Sequence, residues 1–368
     1  AASDVYKRQV GVGAISGIYL QNITNVFKEI EIIGVCDLVR EKAEKAVKEY
    51  NIPKLYNDMY ELFNDDEVDI VLNITRPYEH YEVTKAALLA GKNVYSEKPL
   101  AATLEQGKEL VELAKEKGLY LGGAPDTFMG GGIQTCRKLI EDGIIGTPVG
   151  AGANMICRGH ETWHPDPEFY YKFGGGPMMD MGPYYITALV NLLGPVKKVS
   201  GMSKITFPQR TITSEPKNGQ IIDVDVSTHV AGMMEFENGA IGTILTTFDV
   251  YPPEYDCIQI FGSKGTMIVP DPNGFCGPVK VKIGTGDFYE EKVIFDYTEN
   301  SRGLGLADMA KAIMTGRKPR ADVQQTYHVL EVMMAFERSS EQDAAVKIES
   351  SYIKPPIMAS DCEHGVLD

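Results

Sequence analysis

Lys98 is the first residue in this sequence whose type and position suit proton transfer. It stands in Glu97-Lys98-Pro99, directly after the apolar segment Asn93–Ser96. Loops at the carboxyl ends of parallel strands line ligand crevices, and a partly desolvated lysine there can take or give a proton. The alternative is a solvated surface lysine, which a position after a buried strand disfavours.

Asp180 and Tyr184 form a second candidate group. They follow the run Gly174-Gly175-Gly176 and are four residues apart, so on a helix they share a face. A carboxylate beside a phenol is a plausible proton-handling pair, and the glycines indicate backbone close to a ligand. The alternative is an ordinary capped helix with a half-buried tyrosine.

The segment from Arg158 to Asp166 predicts substrate contacts. It holds the only tryptophan of the chain, Trp163, and two of its six histidines, His160 and His164. Flat aromatic faces suit sugar C–H surfaces, and imidazoles suit hydroxyl groups. Packing is the main alternative. A metal pair is disfavoured because Pro165 breaks a helix here, and we predict no metal site.

Two further residues are assigned to the substrate. Asp126 lies in the segment from Ala124 to Phe128, and His328 lies on a predicted late helix. For His328 the alternative is a hydrogen-bonded core histidine.

A glycine-rich turn and one carboxylate predict a dinucleotide site. Gly11, Gly13, Ala14, Ile15 and Ser16 form a strand-to-helix turn, with serine in place of a third glycine. Asp37 ends the next apolar strand, at close to the motif's offset of about 20 residues for the group that holds the ribose hydroxyls. Its charge favours NAD over NADP. Two alternatives remain: Asp37 caps the next helix, or nearby Arg40 accepts NADP.

The elements that must position these residues change character once along the chain. From Val10 to about Tyr120, strands and helices alternate, which predicts a parallel doubly wound Rossmann sheet. After Pro125, longer alternating strands joined by hairpin turns predict an α+β domain with a large, mostly antiparallel open sheet. The predicted domains are 1–125 for NAD(P), 126–349 for substrate and oligomerisation, and a tail at 350–368.

Composition excludes several classes of function. The chain has 368 residues and a net charge of −15, which disfavours nucleic acid and anionic membrane surfaces. Its six cysteines are scattered, and neither an 18-residue apolar run nor a signal peptide is recognised. We expect a cytoplasmic protein.

The opening residues do not look like a buried strand. Asp4–Gln9 reads DVYKRQ, is polar, and resembles a translated sequencing-library adapter. We expect residues 1–9 to be non-native and the native sequence to begin near Val10.

Taken in order, these motifs resemble the Gfo/Idh/MocA oxidoreductase family over about residues 10–340. The motifs are the Gly-x-Gly turn, Asp37, Thr75-Arg76-Pro77-Tyr78-Glu79-His80, Glu97-Lys98-Pro99, and Gly174-Gly175-Gly176 with Asp180, Gly182 and Tyr184. The resemblance implies NAD(P), dimers or tetramers packed through the open sheets, and a catalytic Lys98 partnered by Asp180. It also places Thr75, Pro77, His80 and Glu97 at the cofactor. Many members have histidine where Tyr184 stands, whereas the glucose–fructose oxidoreductase and dihydrodiol dehydrogenase branches have tyrosine.

The resemblance implies an NAD-dependent dehydrogenase that moves a hydride between nicotinamide and a secondary alcohol of a sugar, glycoside or cyclitol. Oxidation at C3 of a glycoside, giving a 3-keto product, is the position we expect. Two alternatives stay open: a redox-neutral glycosidase that holds NAD, and a catalytically silent sugar sensor.

Overall fold

The computed structural model describes residues 15–368 with their side chains and Tyr6–Arg8 by backbone path alone. Two compact units make up the chain, and each is discontinuous in sequence. The first contains the chain up to Gly131 together with Ile294–Tyr327 and Pro355–Asp368, and the second contains Gly132–Val293 and His328–Lys354. Segment 294–327, which the sequence placed in the substrate domain, therefore clusters with the first unit.

Strands of the first unit pair only in parallel with one another. They are β1 (Tyr6–Arg8), β2 (Ile30–Ile32), β3 (Gly34–Val35), β4 (Lys54–Leu55), β5 (Ile70–Asn73), β6 (Asn93–Ser96) and β7 (Leu121–Gly123). The pairs are β1 with β2, β3 with β4, and β6 with both β5 and β7. This arrangement confirms the predicted Rossmann-like parallel sheet. Strand β1 pairs with β2 although its residues Tyr6–Arg8 are not apolar, and the origin of residues 1–9 stays a hypothesis.

Helices alternate with these strands. They are α1 (Ser16–Asn25), α2 (Arg40–Tyr50), α3 (Met59–Phe63), α4 (His80–Leu89), α5 (Leu104–Lys117) and, from the later segment, α8 (Leu304–Thr315). Helix α2 is highly charged, but Ala43 and Ala46 on its inner side pack with Leu20, Val35 and Ile52. Each such large apolar side chain contributes roughly 1.5–3 kcal/mol when fully buried. That narrow apolar stripe holds a charged helix in place.

The C-terminal residues complete the first unit. The backbone N–H of Lys28 donates to the carbonyl of Gly365 at 3.0 Å, and that of Leu367 donates to Oε1 of Glu29 at 2.9 Å. Buried Arg320 donates to the carboxylates of Asp308 and Asp368, each at 2.6 Å. The last residues of the chain are thus bonded to residues near its beginning.

A nine-stranded sheet forms the second unit. Its strands are β8 (Pro148–Ile156), β9 (Val196–Lys204), β12 (His229–Phe236), β13 (Ile241–Thr247), β14 (Ile258–Gly262), β15 (Gly265–Val269), β16 (Val279–Ile283), β17 (Tyr289–Glu291) and β18 (Val346–Lys347). Their order is β17-β16-β15-β14-β8-β13-β12-β9-β18. Only β8 and β13 pair in parallel, which confirms the predicted large and mostly antiparallel sheet. A separate hairpin joins β10 (Gln209–Thr211) to β11 (Ile221–Asp223).

Helices cover one face of this sheet. The remaining helices are α6 (Gly131–Glu141), α7 (Pro177–Leu193) and α9 (Val323–Gln342). Helix α7 packs on β8, β12 and β13, and Phe336 of α9 lies against Gly201 and Gly232. The alternate residues of the same strands face away, and four large apolar ones are exposed: Met202, Met233, Ile241 and Phe261.

Within the described ranges, none of the helices combines the length and apolar character that crossing a membrane requires.

Candidate active site

The loop that carries Lys98 is fixed by its neighbour Glu97. The Glu97 N–H donates to the carbonyl of Asn73 at 2.8 Å, which continues the β5–β6 ladder. Its buried carboxylate accepts from the hydroxyl of Tyr19 at 2.7 Å and from the Lys98 N–H at 2.9 Å. Lys98 itself is half-buried at the carboxyl end of β6. Lys98 therefore lies where the sequence predicts it, directly after a buried strand, on a loop that these hydrogen bonds fix.

His80 holds the same loop from the other side. It is buried, with Nδ1 at 2.7 Å from the carbonyl of Pro99 and Nε2 at 3.1 Å from that of Thr75. Burial lowers the pKa of His80, although both carbonyl contacts favour its charged form. A neutral ring has one N–H, and we assign it to Nδ1 because that distance is shorter. His80, predicted at the cofactor, thus ties the Thr75 turn to the Lys98 loop.

Asn73 is a buried polar residue of this region that the sequence reasoning missed. Its fully buried amide donates to the carbonyl of His80 and to Oγ1 of Thr84, both at 3.0 Å. Its amide oxygen accepts from the Thr75 hydroxyl at 2.7 Å. An asparagine at the end of the apolar run Ile70–Ile74 is the signal that identifies it. Pro77 begins the short 3₁₀ helix that follows this turn.

The residues predicted for the dinucleotide fall into two groups. Gly11, Gly13 and Ala14 lie outside the described residues, whereas Ile15 and Ser16 begin α1. Half-buried Asp37 follows β3, and its Oδ1 accepts the Val39 N–H at 2.8 Å. Arg40 points its guanidinium at Glu44 and Asn57. A carboxylate at a strand end accepts hydrogen bonds from ribose hydroxyls, and N–H groups at a helix start donate to a pyrophosphate. These residues therefore fit NAD.

Asp126 has a structural partner. Its Oδ2 accepts the backbone N–H groups of Gly303 and Gly305 at 2.9 and 3.0 Å, at the start of α8. Burial raises the pKa of Asp126 to about 6, against the effect of those N–H donors. The carboxylate predicted to meet substrate is thus engaged as a helix cap.

Asp180 and Tyr184 lie on successive turns of α7, as predicted. Asp180 is in the first turn, where its charge suits the helix dipole, and Tyr184 is buried. Lys98 belongs to the first unit and this pair to the second. The pairing of Lys98 with Asp180 therefore stays a prediction.

The glycine run before α7 is explained by contacts within the second unit. A Cβ on Gly175 would lie 2.5 Å from the carbonyl oxygen of Phe169 and 2.7 Å from that of Tyr170. Gly176 has φ 89°, a conformation that other residues rarely adopt. The run lets the backbone of the α7 entry pack on the short 3₁₀ helix Glu168–Tyr171, a cause that the sequence reasoning attributed to a ligand.

His160, Trp163 and His164 come together, as predicted. The ring of His160 lies 5.3 Å from that of Trp163, and Trp163 lies 5.3 Å from His164. Trp163 is 60% exposed, so one face is available to a ligand. Burial, and next His160, lowers the pKa of His164. Across residues 15–368, no group of three or more metal-ligating side chains was found.

Four residues anchor this loop that the sequence reasoning did not assign. Arg210 donates to Glu161 at 2.7 Å and also to Asp249, and the Tyr171 hydroxyl donates to Glu161. Burial alone would raise the pKa of Glu161, but the Tyr171 hydroxyl and the Arg210 guanidinium hold it below its ordinary value. Arg210 lies on β10, 49 positions from Glu161 in its loop, so no local pattern predicts the pair.

His328 is a hydrogen-bonded core histidine, which was the alternative interpretation of this residue. It is fully buried, and its Nε2 accepts the Val196 N–H at 2.9 Å. Its Nδ1 lies 2.9 Å from Oγ of Ser350. Both ring nitrogens are satisfied within the second unit, which leaves none for a substrate.

Two family models match this chain. Residues 9–123 match the model described as "Oxidoreductase family, NAD-binding Rossmann fold", and residues 133–268 match the "GFO/IDH/MocA C-terminal domain". Together the two ranges cover more than half of the chain.

Named relatives cover it to different extents. An inositol 2-dehydrogenase/D-chiro-inositol 3-dehydrogenase of Lactiplantibacillus plantarum is 33% identical, over 38% of this chain and 41% of its own length. For that relative, the match thus spans less than half of the protein. A myo-inositol 2-dehydrogenase of Thermotoga maritima is 23% identical, over 92% of this chain and 97% of its own.

A solved structure shows the same fold. Levoglucosan dehydrogenase, in complex with NADH and L-sorbose, superposes with a TM-score of 0.80 at 20% identity. The superposition covers 94% of this chain and 99% of that one.

Proposed function

The chain belongs to the Gfo/Idh/MocA family of NAD-binding oxidoreductases, and from that membership we propose that it is a dehydrogenase of CH–OH groups that oxidises a ring hydroxyl of a sugar, glycoside or cyclitol to a ketone. Relatives named as inositol dehydrogenases support a polyhydroxylated ring as the substrate class. For the position we propose C3 of a glycoside, which gives a 3-keto product.

The proton is handled by the chain's own residues. NAD, when bound, accepts the hydride from the carbinol carbon. Lys98 and Tyr184 take the hydroxyl proton, and Asp180 orients the ammonium of Lys98. Free lysine and tyrosine both titrate near about 10, so each alone is a poor base at neutral pH. An ammonium beside the phenol stabilises the phenolate, which is why the two must act together.

The observation that carries this proposal is the rigid placement of Lys98. Its loop follows β6 of the NAD-binding domain and is fixed by Glu97 and by the His80–Pro99 contact. General bases must be held within hydrogen-bond reach of the proton that they remove, and a fixed loop meets that condition.

Two point variants test the proposal. Purified protein is screened with NAD against cyclitols, monosaccharides and glycosides, by NADH absorbance. Lys98→Ala should lower kcat by roughly 10²–10⁴-fold, the usual contribution of a general acid–base group. Tyr184→Phe should also lower kcat, and the double variant should lose less than the product of the two.

NAD affinity is the control, because the adenosine and pyrophosphate contacts lie elsewhere and should survive both changes. Full kcat in Tyr184→Phe across the pH range would make Tyr184 a packing residue. Release of free sugar without net NADH would favour the glycosidase, and binding without either reaction would favour the sensor.

We also propose where the protein works and how it assembles. All six cysteines, each within residues 15–368, are free thiols, which fits a reducing cytoplasm. Met202, Met233, Ile241 and Phe261 give the open sheet face an apolar surface that a second copy would cover. We therefore propose that the protein assembles through this face as a homodimer or homotetramer.

A further inference from the structure

His160 has two buried ring nitrogens and no hydrogen-bond partner for either among the described residues. Buried polar atoms left in this state destabilise the fold, so they mark a place where a partner arrives or shifts. The histidine does not belong to the hydrogen-bonded core in the way that His328 does. Another explanation is needed for its two buried ring nitrogens without hydrogen bonds.

The nearest ionisable oxygen to His160 belongs to Asp180. His160 Nε2 lies 3.6 Å from Asp180 Oδ2, slightly beyond hydrogen-bond distance, and both side chains are largely covered. A movement of less than about 1 Å would convert this approach into a charge-assisted hydrogen bond of about 2.8 Å. The two residues come from different elements, the loop after β8 and the first turn of α7.

Aromatic rings restrict where the His160 imidazole can go. Its centroid lies 4.1 Å from Tyr170, 4.6 Å from Phe248 and 5.3 Å from Trp163. The His160 backbone is fixed as well, since its N–H donates to the Tyr171 hydroxyl at 3.1 Å. The ring is thus confined beside Asp180.

We propose that His160 is a positioning residue for Asp180, donating from Nε2–H to the carboxylate and fixing the orientation in which Asp180 holds Lys98. The inference rests on the proposed function, in which Asp180 orients that lysine. It adds one group to the predicted set of Lys98, Asp180 and Tyr184. Such second partners of a catalytic carboxylate determine its geometry and its charge.

Other titratable groups around His160 define what a pH measurement reports. Asp180 faces it from α7, His164 from the same loop, and Tyr170 from the 3₁₀ helix. Glu161 is adjacent in sequence but is bonded to Arg210 and Tyr171. Phe248 contributes no charge. In this group, the carboxylate that approaches the His160 imidazole is that of Asp180, at 3.6 Å.

The first test uses turnover. His160→Phe keeps an aromatic ring in the cage and removes both nitrogens, and it should lower kcat about 10-fold or more with unchanged NAD affinity. Loss of a donor to a carboxylate favours its protonated form, so the acid limb of kcat should move up by about one pH unit. His160→Gln, which retains an N–H donor, should restore part of both. His364→Gln, at an exposed histidine in the other unit, is the control.

The second test needs no turnover and separates this inference from the proposed function. His160→Phe, Asp180→Asn and the double variant are unfolded in urea, and the midpoints form a double-mutant cycle. A midpoint change in the double variant that differs from the sum of the single changes supports the pair. Additive changes overturn it, as does a His160→Phe enzyme with normal kcat and pH profile. A wild type that oxidises no polyol would refute the proposed function alone, because the cycle would still decide the pair.

Discussion

At the scale of single residues, the two units use buried carboxylates in opposite ways. Glu161 is held charged by an arginine and a phenol, whereas Asp126 caps a helix at a place where burial outweighs its N–H donors and the charge of Arg302. The first arrangement favours the ionised acid and the second favours the neutral acid. Asp126 should therefore give the free energy of unfolding a pH dependence of its own.

Asp126→Asn is expected to remove that dependence. The folded pKa, about 6, exceeds the ordinary 3.8, so the folded state keeps a proton that the unfolded chain loses. The stability from the protonated cap is present below pH 4 and is lost as the pH rises through 6. A shift of two units is worth about 3 kcal/mol. The free energy of unfolding of wild type minus that of the variant, measured in urea, should fall by up to that amount between pH 4 and 7.

Asp58→Asn controls for the same chemical change at an exposed helix cap, where the Asp58 side chain accepts the Glu61 N–H. If the wild type and Asp126→Asn keep a constant difference across that pH range, Asp126 does not titrate there.

Asp37 gives the second prediction at this scale. NAD should bind more tightly than NADP because the 2′-phosphate would approach a carboxylate, and like charges about 4 Å apart repel by ~1 kcal/mol or more. Asp37→Ala should lower the ratio of the NADP dissociation constant to the NAD dissociation constant about fivefold or more in titration calorimetry. Arg40→Ala is the matched comparison, because its guanidinium is already bonded to Glu44 and Asn57. Tighter NADP binding by the wild type would reverse the assignment of Asp37.

At the scale of elements, regular periodicity in the sequence predicted helices well, whereas an element that depends on long-range contacts was missed. The spacing of charged and apolar residues predicts helices over Arg40–Tyr50 and Leu104–Lys117, and α2 and α5 have these bounds in the structure. Both have charged outer faces and buried small or apolar inner residues, a pattern that a helix displays locally. The hairpin β10–β11 was missed because it is short, stands apart from the main sheet and supplies Arg210 to a distant loop.

The entry of α7 gives a prediction about an element. Gly175→Ala would bring a methyl group onto the carbonyls of Phe169 and Tyr170, so the 3₁₀ helix or the α7 entry must move. Overpacking of this kind costs about 1–3 kcal/mol. The urea midpoint and kcat should both fall, because Tyr170 also contacts His160. Gly286→Ala, in a turn with one contact at 3.3 Å, is the control and should change neither. A variant as stable as wild type would show that the glycine run serves another purpose.

At the scale of the whole molecule, the sequence predicted both sheets but not how the chain is divided between the units. Asp126 and Gly303 are 177 positions apart, and no local pattern links them. The candidate residues Lys98, Asp180 and Tyr184 were inferred from local motifs, and their joint role stays a prediction. Arg210 was missed because its partner Glu161 is 49 positions away in the chain. Asn73 was missed although its partners are near in the chain, because it stands within an apolar strand.

Assembly is the prediction that belongs to this scale. Met233 is 53% exposed on the open sheet face, so Met233→Lys should place a charge in the proposed interface and shift the protein to monomer. Light scattering after gel filtration measures the mass directly. Tyr60→Lys, at a residue 58% exposed in the first unit, should leave the mass unchanged. Wild-type protein that elutes as a monomer at all concentrations would refute the interface.

The bonds that Gly365, Leu367 and Asp368 make within the first unit affect the order in which the two units can fold during synthesis. A ribosome releases residues in sequence, so the whole second unit emerges before Pro355–Asp368 does. Until that segment emerges, Glu29 is without the N–H of Leu367 and Arg320 is without the carboxylate of Asp368. We therefore expect the second unit to become protease-resistant first on stalled nascent chains, and the NAD-binding unit only once Pro355–Asp368 has emerged from the ribosome.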